Sequence, residues 1–292
     1  MVLSYFDYFN ALHPAVLGTA VFVFGLLVGS FLNVVILRYP ARLMHDWRCQ
    51  CRDLLELDSV ENMAPSPPGL VVERSYCPKC SEQIAWYDNI PLLSWIVLGA
   101  KCRKCSAKIS FRYPLVEFIT AVLSVLVILK FGASIEGLAA LALAWSLVAL
   151  TGIDFDHHLL PDQITLPLLW LGLILNLWFG LFASIEDAVI GAVAGYGVLW
   201  SVFQLFKLLT GKEGMGYGDF KLLAALGAWM GWIVLPMIIL IASVLGAVIG
   251  LILMVAARHG RDVPIAFGPY LAAAGFLMLV FGEQLAGFFP FP

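Results

Sequence analysis

The sequence predicts an all-α polytopic membrane protein with about eight transmembrane helices and one large hydrophilic loop. Of its 292 residues, 61% are hydrophobic and only 13% are charged, and the mean hydropathy is +0.92. Water-soluble domains are closer to about half apolar and about a quarter charged. The charged residues are also segregated along the chain, and all six cysteines fall within one hydrophilic segment. We therefore expect the lipid bilayer, and no nucleic acid, among the partners of this chain.

Apolar runs divide the chain into spans, because a hydrocarbon core of about 30 Å needs roughly 20 helical residues. The first run covers about 14–37 and is followed by the hydrophilic residues 38–113. Seven further spans are predicted near residues 115–131, 137–153, 164–182, 187–208, 221–235, 237–257 and 266–288. The expected organisation has three parts, which are an N-terminal transmembrane helix over 1–37, a loop domain over 38–113 and a seven-helix membrane domain over 114–292.

The distribution of basic residues predicts the orientation of these spans. Eight spans place both termini on one side, and the positive-inside rule puts loops rich in Lys and Arg in the cytoplasm. If the N-terminus is outside, the loops 38–113, 207–221 and 258–262 hold sixteen of the 17 Lys and Arg residues, and Lys130 is the exception. We therefore expect these three loops to be cytoplasmic.

Two acidic clusters lie at predicted span boundaries. The first is the glycine-rich loop from Met215 to Lys221, which contains Asp219, and the second begins at Asp154. An ionisable side chain at a membrane boundary is costly and therefore indicates a functional site. An even number of crossings separates Asp154 from Asp219, so both carboxylates are expected at the cytoplasmic boundary, where helix packing can bring them together.

Two aspartates in one site can hydrolyse a peptide bond by general acid–base catalysis. Because like charges disfavour each other, one carboxyl group stays protonated while the ionised one takes a proton from water. The alternative is that each aspartate is only a helix cap or an interfacial residue, and the glycine loop around Asp219 favours the catalytic interpretation. Asp156 and Asp162 are weaker candidates, and the position of Asp162 after a proline predicts an N-cap.

Four cysteines have the spacing of a metal site. Cys77 and Cys80 form one C-x-x-C motif, and Cys102 and Cys105 form a second, about twenty residues later. Two such motifs match a tetrahedral zinc site with four thiolates, which leaves no open position and is therefore structural. The alternative is a pair of disulfides, which the reducing cytoplasm disfavours. A further pair, Cys49 and Cys51, is interpreted as free thiols or occasional extra ligands.

Taken in order, these motifs resemble the type IV prepilin peptidases, which are bifunctional leader peptidases and N-methyltransferases of the Gly-x-Gly-Asp aspartic protease class. The resemblance covers most of the chain. It rests on Gly29–Pro40 (GSFLNVVILRYP), the two cysteine motifs, Asn89–Trp95 (NIPLLSW), Arg112–Glu117 (RYPLVE), Ile153-Asp154 with Leu160-Pro161-Asp162, and Gly216–Lys221 (GYGDFK).

The resemblance implies that Asp154 and Asp219 are the catalytic pair. It further implies that type IV prepilins and type II secretion pseudopilins are substrates, whose basic leader is cut at the cytoplasmic face of the bacterial inner membrane. The new N-terminal residue would then be methylated from S-adenosylmethionine, and no residues are assigned to that donor. We hypothesise that Asp156, Asp162 and Glu213 attract the basic leader.

Two other functions fit parts of the pattern. A transporter with an acidic ion pathway is the first, although acids at one membrane face and the lack of an internal repeat argue against it. A thiol redox protein that uses the C-x-x-C pairs is the second, and tight retention of zinc would exclude it. No sequence feature indicates an oligomeric state.

Overall fold

The computed structural model describes residues 13–55, 65–71, 73–256 and 266–286. Within these ranges the chain is helical, and its only β-type pairing consists of two isolated bridges, Tyr76 with Gln83 and Lys101 with Lys108. The predicted all-α class is confirmed. The predicted basic loop over 258–262 and the end of the last predicted span lie outside the described residues.

The described residues form nine α-helices and one 3₁₀ turn. They are α1 (Pro14–Leu54), the 3₁₀ turn (Trp86–Asn89), α2 (Leu93–Val97), α3 (Arg112–Phe131), α4 (Ile135–His157), α5 (Asp162–Phe179), α6 (Ile185–Thr210), α7 (Tyr217–Met230), α8 (Leu235–Ala256) and α9 (Gly268–Ala286). Each of the eight predicted spans falls on one of the helices α1 and α3 to α9. Six helices, namely α1, α3, α4, α5, α6 and α8, are long and apolar enough to cross a bilayer.

Two helices differ from the predicted spans. Helix α1 has 41 residues and continues to Leu54, although the predicted span ends at residue 37. At 1.5 Å per residue it is about 60 Å long, so it extends well beyond a hydrocarbon core of about 30 Å. Helix α7 has only 14 residues, which is fewer than the roughly 20 that a span needs. Its apolar sequence reflects burial among other helices.

The chain divides into two compact units, Met1–Leu129 and Lys130–Pro292. In the first unit α1 packs closely on α3, since a Cβ atom added to Gly29 would lie 2.6 Å from Glu117 Cα. The Asn33 side chain of α1 donates a hydrogen bond of 3.0 Å to the Tyr113 carbonyl of α3, which links the two helices. Small residues at such crossings let helix backbones approach in a membrane protein.

Helix α1 also holds the segment that leads to the first cysteine motif. The Arg38 guanidinium donates to the carbonyl oxygens of Gly69, Glu73 and Arg74 at 2.7, 3.0 and 3.3 Å. Because Arg38 lies on α1 just beyond the predicted span, this contact fixes the hydrophilic segment to the end of the first transmembrane helix.

In the second unit, α7 is the buried central helix. Ten of its 14 residues are buried, among them Phe220 and Trp229, which have no exposed surface. It packs against α5, α6 and α9. It lies very close to α6, since a Cβ atom added to Gly195 would lie 2.6 Å from the Leu223 carbonyl oxygen. The position of α7 therefore depends on small residues in α6.

Asn176 of α5 anchors the end of α7. Its amide donates to the carbonyl oxygens of Ala228 and Trp229, both at 2.9 Å, and its side-chain oxygen accepts from the backbone N–H groups of Phe182 and Ala183 at 3.0 and 3.3 Å. The last carbonyls of a helix have no partner within the helix. A buried amide therefore replaces the water that would otherwise satisfy these groups.

Replacing Asn176 by leucine is expected to lower the free energy of unfolding by roughly 2–5 kcal/mol, since each buried polar group left unpaired costs about 1–3 kcal/mol. Denaturant unfolding of the purified protein in detergent measures this loss. Ser201→Ala is the control, because Ser201 is exposed and bonds only to the Gly197 carbonyl of its own helix. Equal stability of the two variants would contradict an anchoring role for Asn176.

Candidate active site and metal centre

Asp154 lies near the end of α4 and is buried, with 5% of its surface exposed. Its Oδ2 atom is fully buried and lacks a hydrogen-bond partner of good geometry among the described residues. The backbone N–H of Gly268, the first residue of α9, approaches this carboxylate. A helix N-terminus carries partial positive charge and favours a carboxylate nearby.

Asp219 is the third residue of α7 and is 7% exposed. Its backbone N–H donates to the Gly216 carbonyl at 3.3 Å, which closes the turn at the start of the helix. The Oδ1 atom is buried and has no hydrogen-bond partner within the described residues. Burial of an unpaired carboxylate oxygen is costly, so this position is not explained by stability.

The structure brings Asp154 and Asp219 into one site. The two carboxylates are close enough for their charges to repel each other, and the Leu160 side chain contacts Gly218, which precedes Asp219, and Gly268, which borders Asp154. A Cβ atom added to Gly218 would be 2.7 Å from Leu160 Cβ, and one added to Gly268 would be 3.0 Å from Leu160 Cδ1 and 2.6 Å from Asp154 Oδ2. The loop before α7, the loop before α5 and the start of α9 therefore converge on the two acids.

Both acids lie at the same end of the second unit. Asp154 is close to the C-terminus of α4, Asp219 is at the N-terminus of α7, and the short loops between successive helices place these ends together. Neither acid lies in the middle of a helix, where a pathway across the bilayer would need it. This arrangement suits chemistry at one membrane face.

Asp162 does not act as the N-cap that its sequence predicts. Pro161 occupies the cap position, and Asp162 is the first residue of α5 without a side-chain capping bond. Its carboxylate instead binds the Lys221 ammonium with both oxygens, at 2.6 and 2.8 Å. This ion pair joins the start of α5 to the first turn of α7, two residues beyond Asp219.

The other acids near this face are outside the buried pair. Asp156 follows Asp154 on α4 but is exposed. Glu213 is paired with Lys207 at 2.7 Å. The attraction of a basic leader by Asp156, Asp162 and Glu213 stays a prediction, and two of these three carboxylates already face a lysine, which weakens the negative potential that they present.

An aromatic cluster adjoins the glycine loop and was not anticipated from the sequence. The rings of Phe203, Tyr217 and Phe220 lie with their centroids 5.4 to 5.6 Å apart, and Tyr196 meets Phe220 at 5.8 Å. Tyr217 keeps half of its surface exposed. Tyr217 and Phe220 are three residues apart and therefore share one face of a helix, which is the sequence feature that could have predicted their contact. The cluster fixes the start of α7 against α6.

The first unit contains a cluster of four thiols. The sulfur atoms lie within 4.8 Å of one another and belong to Cys77, Cys80, Cys102 and Cys105. The Cys77 and Cys105 sulfurs are 3.7 Å apart. Tetrahedral zinc with Zn–S bonds of about 2.3 Å places its sulfurs about 3.8 Å from one another, whereas a disulfide requires about 2.05 Å. The cluster could hold a metal ion.

Two turns of the same design build this cluster. In the first, Cys77 N–H donates to the Glu82 carbonyl at 2.9 Å, and in the second Cys102 N–H donates to the Ala107 carbonyl at 2.8 Å. Ser81 and Ser106, each directly after the second cysteine of its turn, have φ of 55° and 54°. Both turns therefore present their sulfurs inward.

The thiols are tuned by their surroundings. Backbone N–H groups of Cys80 and Lys79 lower the pKa of the Cys77 thiol to about 6. The Glu82 N–H lowers the pKa of the Cys80 thiol, but burial and the neighbouring sulfurs disfavour a second thiolate, and together they raise this pKa to about 11. A cation bound among the sulfurs would remove that repulsion. Cys49 and Cys51 lie on α1 and are not members of the cluster.

Two families of known proteins match the chain, one over each candidate site. Residues 23–131 match the bacterial peptidase A24 N-terminal domain, and residues 141–251 match the type IV leader peptidase family. The prepilin leader peptidase/N-methyltransferase of Stutzerimonas stutzeri is 54% identical over 277 residues, which are 95% of each chain. The chain belongs to the type IV leader peptidase family. Proteins of the same name from Aeromonas hydrophila and Pseudomonas aeruginosa are 55% and 52% identical over 91% and 94% of each chain.

The two matched regions of this type IV leader peptidase family member separate its candidate sites. The region over 141–251 contains Asp154 and Asp219, and the region over 23–131 contains the four-cysteine cluster. No solved structure matches the chain.

Proposed function

We propose that this chain is an aspartic endopeptidase that removes the leader peptide from prepilins and then methylates the new N-terminus. The observation that carries the peptidase assignment is the buried pair Asp154 and Asp219, each with an unpaired oxygen, at one end of the membrane unit. Membership in the type IV leader peptidase family and relatives named prepilin leader peptidase/N-methyltransferase support it. Type II secretion pseudopilins are proposed as further substrates.

The proposed reaction is direct hydrolysis of the scissile amide. The ionised carboxylate of the pair takes a proton from a water molecule, whose oxygen attacks the carbonyl carbon, while the protonated carboxyl group donates its proton to the carbonyl oxygen. The C–N bond of the resulting gem-diol intermediate then breaks as the departing nitrogen receives a proton from the pair, and one hydroxyl proton of the intermediate returns to the pair as the carbonyl re-forms. Because the two acids titrate as a unit, the roles are assigned to the pair and not to single residues.

The surroundings of the pair suit a substrate that enters from the bilayer. Gly216 leaves the backbone before Asp219 uncovered, since an added Cβ atom there would meet only the Gly218 nitrogen, at 4.0 Å. An extended substrate segment can therefore approach the acid at this point. The partly exposed Tyr217 borders this opening. A substrate with a polar leader and an apolar helix would place its cleavage point at the level of the acids.

We further propose that the active site faces the cytoplasm and that the membrane is the bacterial inner membrane. The last turn of α6 and the loop that follows it, at the same end as the acids, carry Lys207 and Lys212. The positive-inside rule favours the cytoplasm for such short basic loops.

Zinc is the metal that we propose for the four-cysteine cluster. Four sulfur atoms within 4.8 Å of one another suit Zn²⁺. Four thiolates close its coordination shell, so the ion would hold the loop together without binding substrate. S-adenosylmethionine is proposed as the methyl donor on the basis of the relatives' names, and no residue is assigned to it.

Replacing Cys102 by serine is expected to abolish stoichiometric zinc binding, because three thiolates leave the tetrahedron open. Elemental analysis of the purified protein measures the metal. Cys51→Ser is the control, since Cys51 is exposed on α1 and outside the cluster. Zinc at the same stoichiometry in both variants would exclude the proposed ligand set.

The whole function is tested with the wild-type protein in lipid nanodiscs and a purified prepilin. Mass spectrometry is expected to show loss of the leader, followed by gain of one methyl group only when S-adenosylmethionine is present. Cleavage without methylation would leave only the peptidase assignment standing. An uncleaved prepilin, with protein that is folded and metal-loaded, would refute the proposal.

A further inference from the structure

The loop between the two cysteine motifs exposes an unusual number of apolar side chains. We call residues 86–97 the interknuckle segment, and it comprises the 3₁₀ turn and helix α2. Trp86, Leu93, Ile96 and Val97 expose 75%, 61%, 66% and 78% of their surfaces. Four large apolar side chains close together in the sequence are a poor surface for water, and such patches mark contact sites.

The interknuckle segment is tied to the start of α3. The Leu92 N–H, which precedes α2, donates a hydrogen bond of 2.9 Å to Glu117 Oε2 of α3. The Trp95 indole N–H donates to the Ile109 carbonyl at 3.2 Å, and its ring meets the edge of Phe111 at 5.8 Å. Helix α2 therefore lies beside the point where the chain enters α3.

The bond to Glu117 gives the depth of the segment relative to the bilayer. Helix α3 has 20 residues, with Arg112 at its first turn and Lys130 at its last, so its length of about 30 Å matches the hydrocarbon core. Glu117 lies five residues beyond Arg112, or about 7.5 Å along the axis, and helical side chains point back towards the N-terminus. The Leu92 end of α2 therefore lies between the headgroups and the outermost part of the hydrocarbon.

Glu117 itself is satisfied at this depth. It is 8% exposed, and besides the Leu92 N–H it interacts with the Ser30 hydroxyl of α1. A carboxylate in a spanning helix is expected to have such partners. The bond to the interknuckle segment therefore belongs to the membrane-embedded structure and is not a chance surface contact.

The chemistry of the patch matches a membrane interface. Trp86 and Tyr87 contact each other at its edge, with ring centroids 5.7 Å apart, and Trp and Tyr are enriched at the headgroup level of membranes. Lys101 and Lys108 follow the segment in the sequence, and basic residues favour an anionic lipid surface. On α3, Leu115 and Phe118 are also exposed, at 41% and 48%, so the patch continues the apolar surface of a spanning helix.

We propose that the interknuckle segment is immersed in the interfacial layer of the bilayer that α1 and α3 cross. The patch contacts lipid. Leu93, Ile96 and Val97 lie against acyl chains, and Trp86 and Tyr87 lie at the level of the headgroups. Because Cys80 and Cys102 flank the segment, the four-cysteine cluster is held at the membrane surface. From the sequence this stretch belongs to the hydrophilic loop domain over 38–113, whereas its position beside α3 in the structure favours contact with the membrane.

Site-specific labelling of the full-length protein in nanodiscs tests the proposal. The discs contain phosphatidylcholine and phosphatidylglycerol, and peptide mass spectrometry measures the labelling of each cysteine separately. Val97→Cys is compared with Val71→Cys, a matched control in the same hydrophilic region, because Val97 and Val71 are 78% and 81% exposed. Leu93→Cys is a second site on the same patch, and zinc content verifies that each variant is folded.

Immersion predicts that a charged, water-soluble maleimide labels Val97→Cys at about one tenth of the rate of Val71→Cys or at a lower rate, because the reactive thiolate forms in water. An uncharged, lipid-soluble maleimide is expected to remove or reverse that difference, and denaturation is expected to equalise the two rates with both reagents. Equal rates with the charged reagent in intact discs would show that the patch faces water and would overturn the proposal. Protection of both Val97→Cys and Leu93→Cys from both reagents would show that protein covers the patch, which would overturn it equally.

Discussion

Asp154→Asn and Asp219→Asn are each expected to lower prepilin cleavage by roughly 10³-fold or more, because general acid–base catalysis contributes about 10²- to 10⁴-fold and the remaining acid cannot both take a proton from water and donate one to the carbonyl. Asparagine has nearly the same shape as aspartate but cannot transfer a proton. Each variant is expected to fold and to retain its metal, since the substitution removes a buried charge whose oxygen has no partner. Cleavage of a purified prepilin in detergent, with metal content measured in parallel, tests this.

Asp156→Asn is the matched control for that experiment. It makes the same chemical change two residues from Asp154 on the same helix, at an exposed position. Because Asp156 is predicted to attract the leader and not to transfer protons, its loss is expected to slow cleavage by about five-fold or less, since one exposed charge contributes about 1 kcal/mol. If Asp154→Asn cleaved normally, the first acid would have to be Asp156 or Asp162. Normal cleavage by both buried-site variants would refute the aspartic mechanism and return the transporter interpretation to consideration.

Asp154 and Asp219 could be singled out from the sequence because charged residues are rare within apolar sequence. The number of predicted spans between them also indicated that both lie at the same membrane face. The apolar runs predicted every long helix for the same reason. The residues that join the two acids could not be found in this way. Leu160 and Gly268 are more than one hundred residues apart and meet only because α5, α7 and α9 converge, and no local pattern reports which helix ends converge.

The misjudged boundaries have a common physical cause. Hydropathy responds to burial of any kind, so residues 221–230 of α7 were assigned to a span near 221–235 although most of them are buried by protein. It also reports nothing about helix continuation in water, so α1 extends to Leu54 through residues that were assigned to the loop. Asp162 was predicted as an N-cap from its local context, and a lysine 59 positions away determines its actual contact.

The packing of α7 against α6 leads to the second large effect. A Cβ atom added to Gly191 would collide with the backbone of Gly227, and one added to Gly227 would collide with the backbone of Gly191. Backbone atoms of two packed helices cannot move aside as the end of a flexible side chain can. Either helix must therefore shift to accept even a single methyl group.

Gly191→Ala is accordingly expected to displace α7, which carries Asp219, and to reduce cleavage by about 10²-fold, since misplacement of about 1 Å can have that effect. Overpacking of this kind is also expected to lower the free energy of unfolding by about 1–3 kcal/mol. Cleavage kinetics and denaturant unfolding of the same preparation measure both quantities.

Gly197→Ala supplies a control on the same helix. A Cβ atom at Gly197 would meet nothing within 4 Å, so the substitution adds the same methyl group with the same gain in helix propensity, about 1 kcal/mol, and without a collision. Retained activity in Gly197→Ala together with lost activity in Gly191→Ala would locate the effect in the α6–α7 contact. Equal activity in the two variants would mean that α7 is free to shift without misplacing Asp219, and the site would then owe its geometry to the Lys221–Asp162 ion pair and the contact with Leu160.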